Sequence, residues 1–146
     1  MIPRLTKLTL QMTYGTWHSV AMPDKSKKQP KWHDGIEADD FEAAESYLRL
    51  IHPNKQSARL VKALRRAKPD RFRAKDIFRA SGLSRLGVSN LRVARYRKKI
   101  KQGLPLSPIL LVRDEMHGKV LVADGYHRLC AVYEVDEDAW IPCRIV

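Results

Sequence analysis

With 146 residues, 44% hydrophobic and 30% charged, the chain has the size and composition of one ordinary soluble globular domain, large enough for a core and too small for two large ones. No aliphatic run exceeds Ile109–Val112, and Met1–Lys7 lacks the apolar stretch of a secretory signal, so no membrane partner is expected and the cytoplasm is the expected location. The formal net charge of +12 is uneven: residues 55–101 hold 17 of the 28 lysines and arginines against two acids, Asp70 and Asp76, which points to an anionic partner, nucleic acid first.

Alternation over residues 5–12, with Leu8, Leu10 and Met12 on one side, predicts a half-buried strand. Residues 23–34, polar and rich in lysine and proline, predict a mobile connection. Asp39 or Asp40 can cap a helix over about 41–51 whose Phe41, Ala44, Leu48 and Ile51 share a face, and Pro53 ends it. A second helix, about 55–67, turns Leu60, Val61, Leu64 and Ala67 inward and Arg59, Lys62, Arg65 and Arg66 outward, with Pro69 behind it. A third runs from Arg73 to Ser81 and stops at Gly82. A fourth, about 89–102, buries Val93, Tyr96 and Ile100, exposes Arg92, Arg95, Lys98, Lys99 and Lys101, and stops at Gly103.

Strands Ile109–Arg113 and Lys119–Ala123 flank a hairpin turn over 114–118. A further helix follows to about Glu134, and Trp140–Val146 forms a last strand in which Pro142 predicts an edge position or a bulge. Together these describe one α/β domain. A strand and connection occupy 1–40, a basic helical segment 41–102, and a small mixed-sheet unit, strand-strand-helix-strand, 103–146. Cys130 and Cys143 fit neither a zinc spacing nor a disulfide framework and are expected as buried thiols.

The stretch Lys119–Leu129 carries the most chemistry. A β-branched strand runs into Asp124-Gly125, and a helix pattern starts at once. Gly125 can take the positive φ such a turn often needs. The amides of Tyr126, His127 and Arg128 then become the unpaired donors of a helix N-terminus, and the side chains of His127 and Arg128 add donors at the same spot. A phosphate is the natural ligand, with Asp124 beside it as a catalytic base, a metal contact or a cap. No cluster with metal-ligand spacing accompanies it.

Residues 74–93 have the cadence of a helix-turn-helix, with Ile77, Gly82, Leu83, Val88 and Leu91 at the apolar and turn positions. Ser84 would cap a recognition helix offering Arg85, Ser89 and Asn90 to base edges. The alternative for the same residues is a loop around Gly82–Gly87 followed by the basic fourth helix. Trp17, Trp32 and Trp140 lie too far apart to form the stacking series of a single-strand binder.

Three blocks in order, Gly103-Leu104-Pro105-Leu106-Ser107-Pro108-Ile109-Leu110-Leu111-Val112, Val122-Ala123-Asp124-Gly125-Tyr126-His127-Arg128-Leu129-Cys130-Ala131 and Ile141-Pro142-Cys143, resemble the N-terminal domain of the ParB/sulfiredoxin superfamily over about residues 88–146. The resemblance implies phosphate-binding roles for Gly125, Tyr126, His127 and Arg128, a nucleoside triphosphate with Mg2+ as cofactor, and a nucleotide pocket also lined by the segment Gly103–Pro108. Sulfiredoxins carry a nucleophilic cysteine where this chain has Tyr126, so sulfinic-acid reduction is not implied. Free-serine kinases of the same fold place an aspartate near the transferred phosphoryl group, at the position of Asp124.

Three functions follow as expectations. The first is a stand-alone ParB-like module that binds a nucleotide or nucleic-acid phosphate at Gly125–Arg128, with nucleic acid also met by Arg85, Arg92, Arg95, Lys98 and Lys99. The second is an ATP-dependent phosphotransferase or nuclease using Asp124. The third is a helix-turn-helix regulator built on residues 74–93.

Overall fold

Ile109–Val112 is apolar at four successive positions, a pattern that suits a strand covered on both faces. The computed structural model describes residues 8–13, 16–21, 28–87 and 89–146, and it supplies both covers. The chain begins with strands β1 (Leu8–Thr13), β2 (Thr16–Ala21) and β3 (Lys31–Trp32), then helices α1 (Ala38–Leu48) and α2 (Asn54–Arg66). Strand β4 (Asp70–Arg73), helices α3 (Ala74–Ser81) and α4 (Leu91–Lys101), and strands β5 (Pro105–Leu106) and β6 (Ile109–Asp114) follow. One turn of 3-10 helix, Glu115–His117, leads into β7 (Lys119–Asp124), α5 (Tyr126–Val135) and β8 (Trp140–Ile145).

The central sheet has the strand order β4-β8-β6-β7, with β6 and β8 parallel and the outer pairs antiparallel. Strand alternation sends Ile109 and Leu111 to one face, with Val120, Val122, Ile141 and Cys143. There they pack on Ala74, Ile77 and Phe78 of α3, Val93 and Ile100 of α4, and Leu129–Val132 of α5. Leu110 and Val112 go to the other face with Ala123, against Phe41, Ala44 and Leu48 of α1 and Val61 and Leu64 of α2. The sheet is therefore the middle of three layers. Arg144 locks α2 to it, donating from Nη1 to the Arg65 carbonyl at 2.7 Å at the exposed C-terminal end of the helix. Both thiols are buried as expected, and burial pushes Cys143 up to about 12.

Several elements differ from the sequence expectations. The strand expected over 5–12 is the first arm of a hairpin, β1 paired antiparallel with β2; residues 5–7 and 23–27 lie outside the described residues. Lys31–Trp32, expected within a mobile connection, pairs parallel with Pro105–Leu106. Strand β4 lacks a local apolar signal because Asp70-Arg71-Phe72-Arg73 is an edge strand with a charged exterior.

Asp39 and Asp40 lie in the first turn of α1 rather than at its cap, which is Glu37. Ile51 lies beyond that helix and is exposed. Tyr96 and Leu60 are half-buried rather than buried. Pro142 sits on an interior strand, not an edge. Its nitrogen points toward β6, on the same side as the Val146 amide that donates to Leu111, but pairing with β6 begins at Cys143, so no ladder bond is lost.

The helix-turn-helix does not form. Gly82 ends α3 in the left-handed conformation, residues 83–87 are irregular, and no helix starts at Ser84. Leu91, expected inward, is 76% exposed. The Asn90 Oδ1 is occupied as a cap, accepting from the amides of Arg92 at 3.0 Å and Val93 at 3.2 Å, which starts the next helix there. Among the described residues, no helix is long and apolar enough to cross a membrane.

Leu110 is fully buried at the junction of β6 with α1. Leu110→Ala is expected to cost about 3 kcal/mol, read as a lower urea midpoint with an unchanged slope.

Candidate functional site

Strand β7 carries Asp124 to the end of the sheet, where the chain turns through Gly125 at φ 103°. A Cβ there would meet Ile109 Cγ1 at 2.9 Å, so both backbone angle and packing against β6 require glycine. The register shifts between Leu110 and Leu111, leaving Ala123 between the paired Val122 and Asp124. Gly125 brings no capping side chain, and the first backbone bond of α5 runs from the Leu129 amide to the Gly125 carbonyl. The amides of Tyr126, His127 and Arg128 thus open the helix without intrahelical acceptors. The Tyr126 hydroxyl donates to the Ser84 carbonyl, which ties the irregular segment after α3 to this turn.

Helix α4 lies beside α5. Its Val93 and Ile100 are buried, and Arg97 Nε approaches Glu134 Oε2 at 3.3 Å, an ion contact without hydrogen-bond alignment. Arg92, Arg95 and Lys99 follow i, i+3, i+7 spacing and form one stripe. With Tyr96 they line a half-open cavity of about 320 Å³, whose other wall is Asp124, Gly125, Tyr126, His127 and Arg128. The structure thus unites the expected turn with three of the five expected nucleic-acid residues. Lys98 projects about a quarter-turn round the helix from that stripe. Arg85 lies elsewhere, with its guanidinium over the Tyr133 ring at 4.7 Å.

Arg128, expected to hold phosphate, already has partners. It is 6% exposed, and its Nη2 donates to Asp124 Oδ2 at 2.8 Å, Pro108 O at 3.3 Å and Asp40 Oδ2 at 3.4 Å. Its Nε is buried with no acceptor among the described residues. Asp40 is the member of this cluster that sequence reading missed as a partner. It had a local signal as a helix-start acid, but nothing local links it to a residue 88 positions away. Of Gly103–Pro108, expected along a nucleotide pocket, Pro108 enters only through that carbonyl, and none lines the cavity.

The cluster sets its own charges. Burial pushes the Asp124 carboxyl above the ordinary carboxylate range; Arg128 pulls it down and the Asp40 charge pushes it up again. Burial disfavours the charged form of Arg128, but Asp124 and Asp40 outweigh it and hold the guanidinium above its usual value. His127 is lowered, first by burial and then by the positive charges of Arg92 and Arg128, so its protein surroundings favour the neutral imidazole.

Arg128→Met would leave two carboxylates facing each other across a partly dry site and is expected to cost about 3–5 kcal/mol near neutral pH. Without Arg128 the Asp124 carboxyl rises further, so the folded state binds more protons than the unfolded one. The deficit should therefore shrink as pH falls from about 7 to about 5, measured by urea denaturation at each pH. Compared with protein-family models, curated proteins and solved structures, the chain matches none.

Proposed function

We propose that the chain is a ParB-like, cytoplasmic, DNA-associated module that binds a nucleotide or a nucleic-acid phosphate in the cavity between α4 and the start of α5. The observation that carries this reading is the meeting of two anion-binding features across that cavity. The unpaired amides of Tyr126, His127 and Arg128 lie on one wall and the Arg92, Arg95, Lys99 stripe on the other. Cations gathered on one wall repel one another, and an anion between the walls relieves that repulsion. Tyr96 and Tyr126 line the same space.

Mg2+ has a weaker claim on the protein. Among the described residues, no group of three or more His, Cys, Asp or Glu could hold a metal, and Asp124 Oδ2 is held by Arg128. A divalent ion would enter mainly on the oxygens of a triphosphate. Asp124 does line the cavity with a raised carboxyl, the observation that favours a phosphotransferase or nuclease. Product formation in the binding samples reads that alternative.

Calorimetric titration with ATP, CTP and GTP, each with Mg2+, is expected to show binding of at least one. The triple variant Arg92→Gln/Arg95→Gln/Lys99→Gln, with its circular dichroism unchanged, should weaken that binding by at least about tenfold. Silence from all three nucleotides, together with a triple variant that binds duplex DNA as the parent does, would sink the proposal.

Acidity provides an independent readout. A bound anion favours the imidazolium of His127, so binding must raise a pKa that burial, Arg92 and Arg128 depress. Affinity should then climb as pH falls from about 7.5 to about 6, beyond what the phosphate's own titration produces. His127→Gln should lose that extra slope and keep the rest. An identical slope in parent and variant excludes His127 from the contact.

A further inference from the structure

A second concentration of positive charge lies on the other side of the sheet. Arg59, Lys62 and Arg66 share one face of α2 at i, i+3, i+7 spacing. Lys68 follows the helix, and Arg113 reaches the same place from the end of β6. These side chains wall an open groove whose floor includes Ile145 and Val146. Among the described residues, the groove shares none with the cavity between α4 and α5.

The charges in this groove are unspent. Lys75, Arg79, Arg97 and Arg128 each face an acid, whereas none of the five groove cations makes an ion pair among the described residues. Asp70, the acidic side chain in the lining, turns its Oδ1 to the neighbouring Arg71 amide at 2.7 Å. Helix α2 contains no acidic residue at all. The other arginines nearby have internal work: Arg65 lies 4.4 Å over the Phe41 ring, and Arg144 holds the carbonyls at the end of α2.

We propose that this groove seats the phosphate backbone of a nucleic-acid duplex, as a site separate from the nucleotide cavity and standing whether or not that cavity binds. Three features favour a duplex backbone over other anions. Arg59 to Arg66 covers about 10 Å of helix axis, a length over which one strand of B-DNA presents about three phosphates. Among the described residues no aromatic side chain lines the groove, so these offer neither the stacking platforms of single-strand binders nor the aromatic anchors of protein interfaces. Val61 and Leu64 of α2 are buried in the core, which leaves this helix no apolar face to sink into a bilayer. Backbone contact of this kind is blind to sequence and depends on released counterions.

Fluorescence anisotropy with labelled duplex DNA and duplex RNA of arbitrary sequence, over a salt series, tests the assignment and separates the two sources of backbone. Lys62→Glu/Arg66→Glu is expected to weaken duplex binding by at least about tenfold and to flatten the log–log salt slope by about two. Calorimetric binding of nucleotides should be unchanged in that variant. Arg113→Glu, on a strand rather than the helix, should weaken duplex binding in the same direction, which guards against a local defect in α2. Unchanged duplex affinity in both variants would overturn the proposal. So would a duplex affinity lost only with the Arg92, Arg95 and Lys99 substitutions, or groove-dependent binding of polyglutamate or phosphatidylserine vesicles without any of duplex.

Discussion

Arg128 belongs to the helical layer on one face of the sheet and Asp40 to the layer on the other, yet their side chains meet at the sheet's end. Between them stand Asp124, at the end of β7, and the Pro108 carbonyl, just before β6. One planar guanidinium therefore touches both covering layers and the approach to the central strand. All three contacts converge on the one nitrogen Nη2, so the cluster needs a long cationic side chain at this position. It also needs the glycine turn, because the Asp124–Arg128 spacing of i, i+4 brings the two together only if a helix begins immediately after the strand. Placing the turn, starting α5 and joining the layers are consequences of one local arrangement.

That arrangement divides the charge of the protein into two populations. Two carboxylates and one guanidinium sit together at the cavity wall and are largely screened from water by protein, so their mutual attraction is felt at close range. The remaining positive charge is pushed to surfaces. On α4 it faces the opening of α5, and on α2 it faces away across the sheet. The basic middle of the sequence thus becomes two separated surfaces, because its helices pack on opposite faces of the same sheet.

Much of this was legible in the sequence. The helices announced themselves by apolar spacing and by Pro53, Gly82 and Gly103, and the β6–β7 hairpin and the Asp124-Gly125 turn by local chemistry. Each of those signals lies within a few residues of the feature it marks. The pairings that were missed join distant segments: β3 with β5, β4 with β8, and Asp40 with Arg128. No periodicity encodes them. From sequence alone Arg128 reads as a ligand contact, because an arginine at a helix start is ambiguous until its neighbours in space are known. Residues 74–93 misled for a related reason. Gly82 and Asn90 are good boundary residues in either reading, and the choice between a loop and a recognition helix depended on the Asn90 side chain turning back to cap α4.

The interior place of β8 has a bearing on how the molecule is made. Among the described residues strand β4 finds its partner only in β8, which a ribosome delivers after α3, α4, β5, β6, β7 and α5. Until then β6 has a neighbour on one side and the emerging chain holds two open strand edges beside a continuous apolar stretch. Closing the sheet requires a parallel pairing and a long-range antiparallel one at the same step, and such non-local contacts form slowly. The nascent protein must therefore keep an unfinished sheet sheltered until nearly all of its described length has been synthesised, a demand that falls on its helices or on the cell's chaperones.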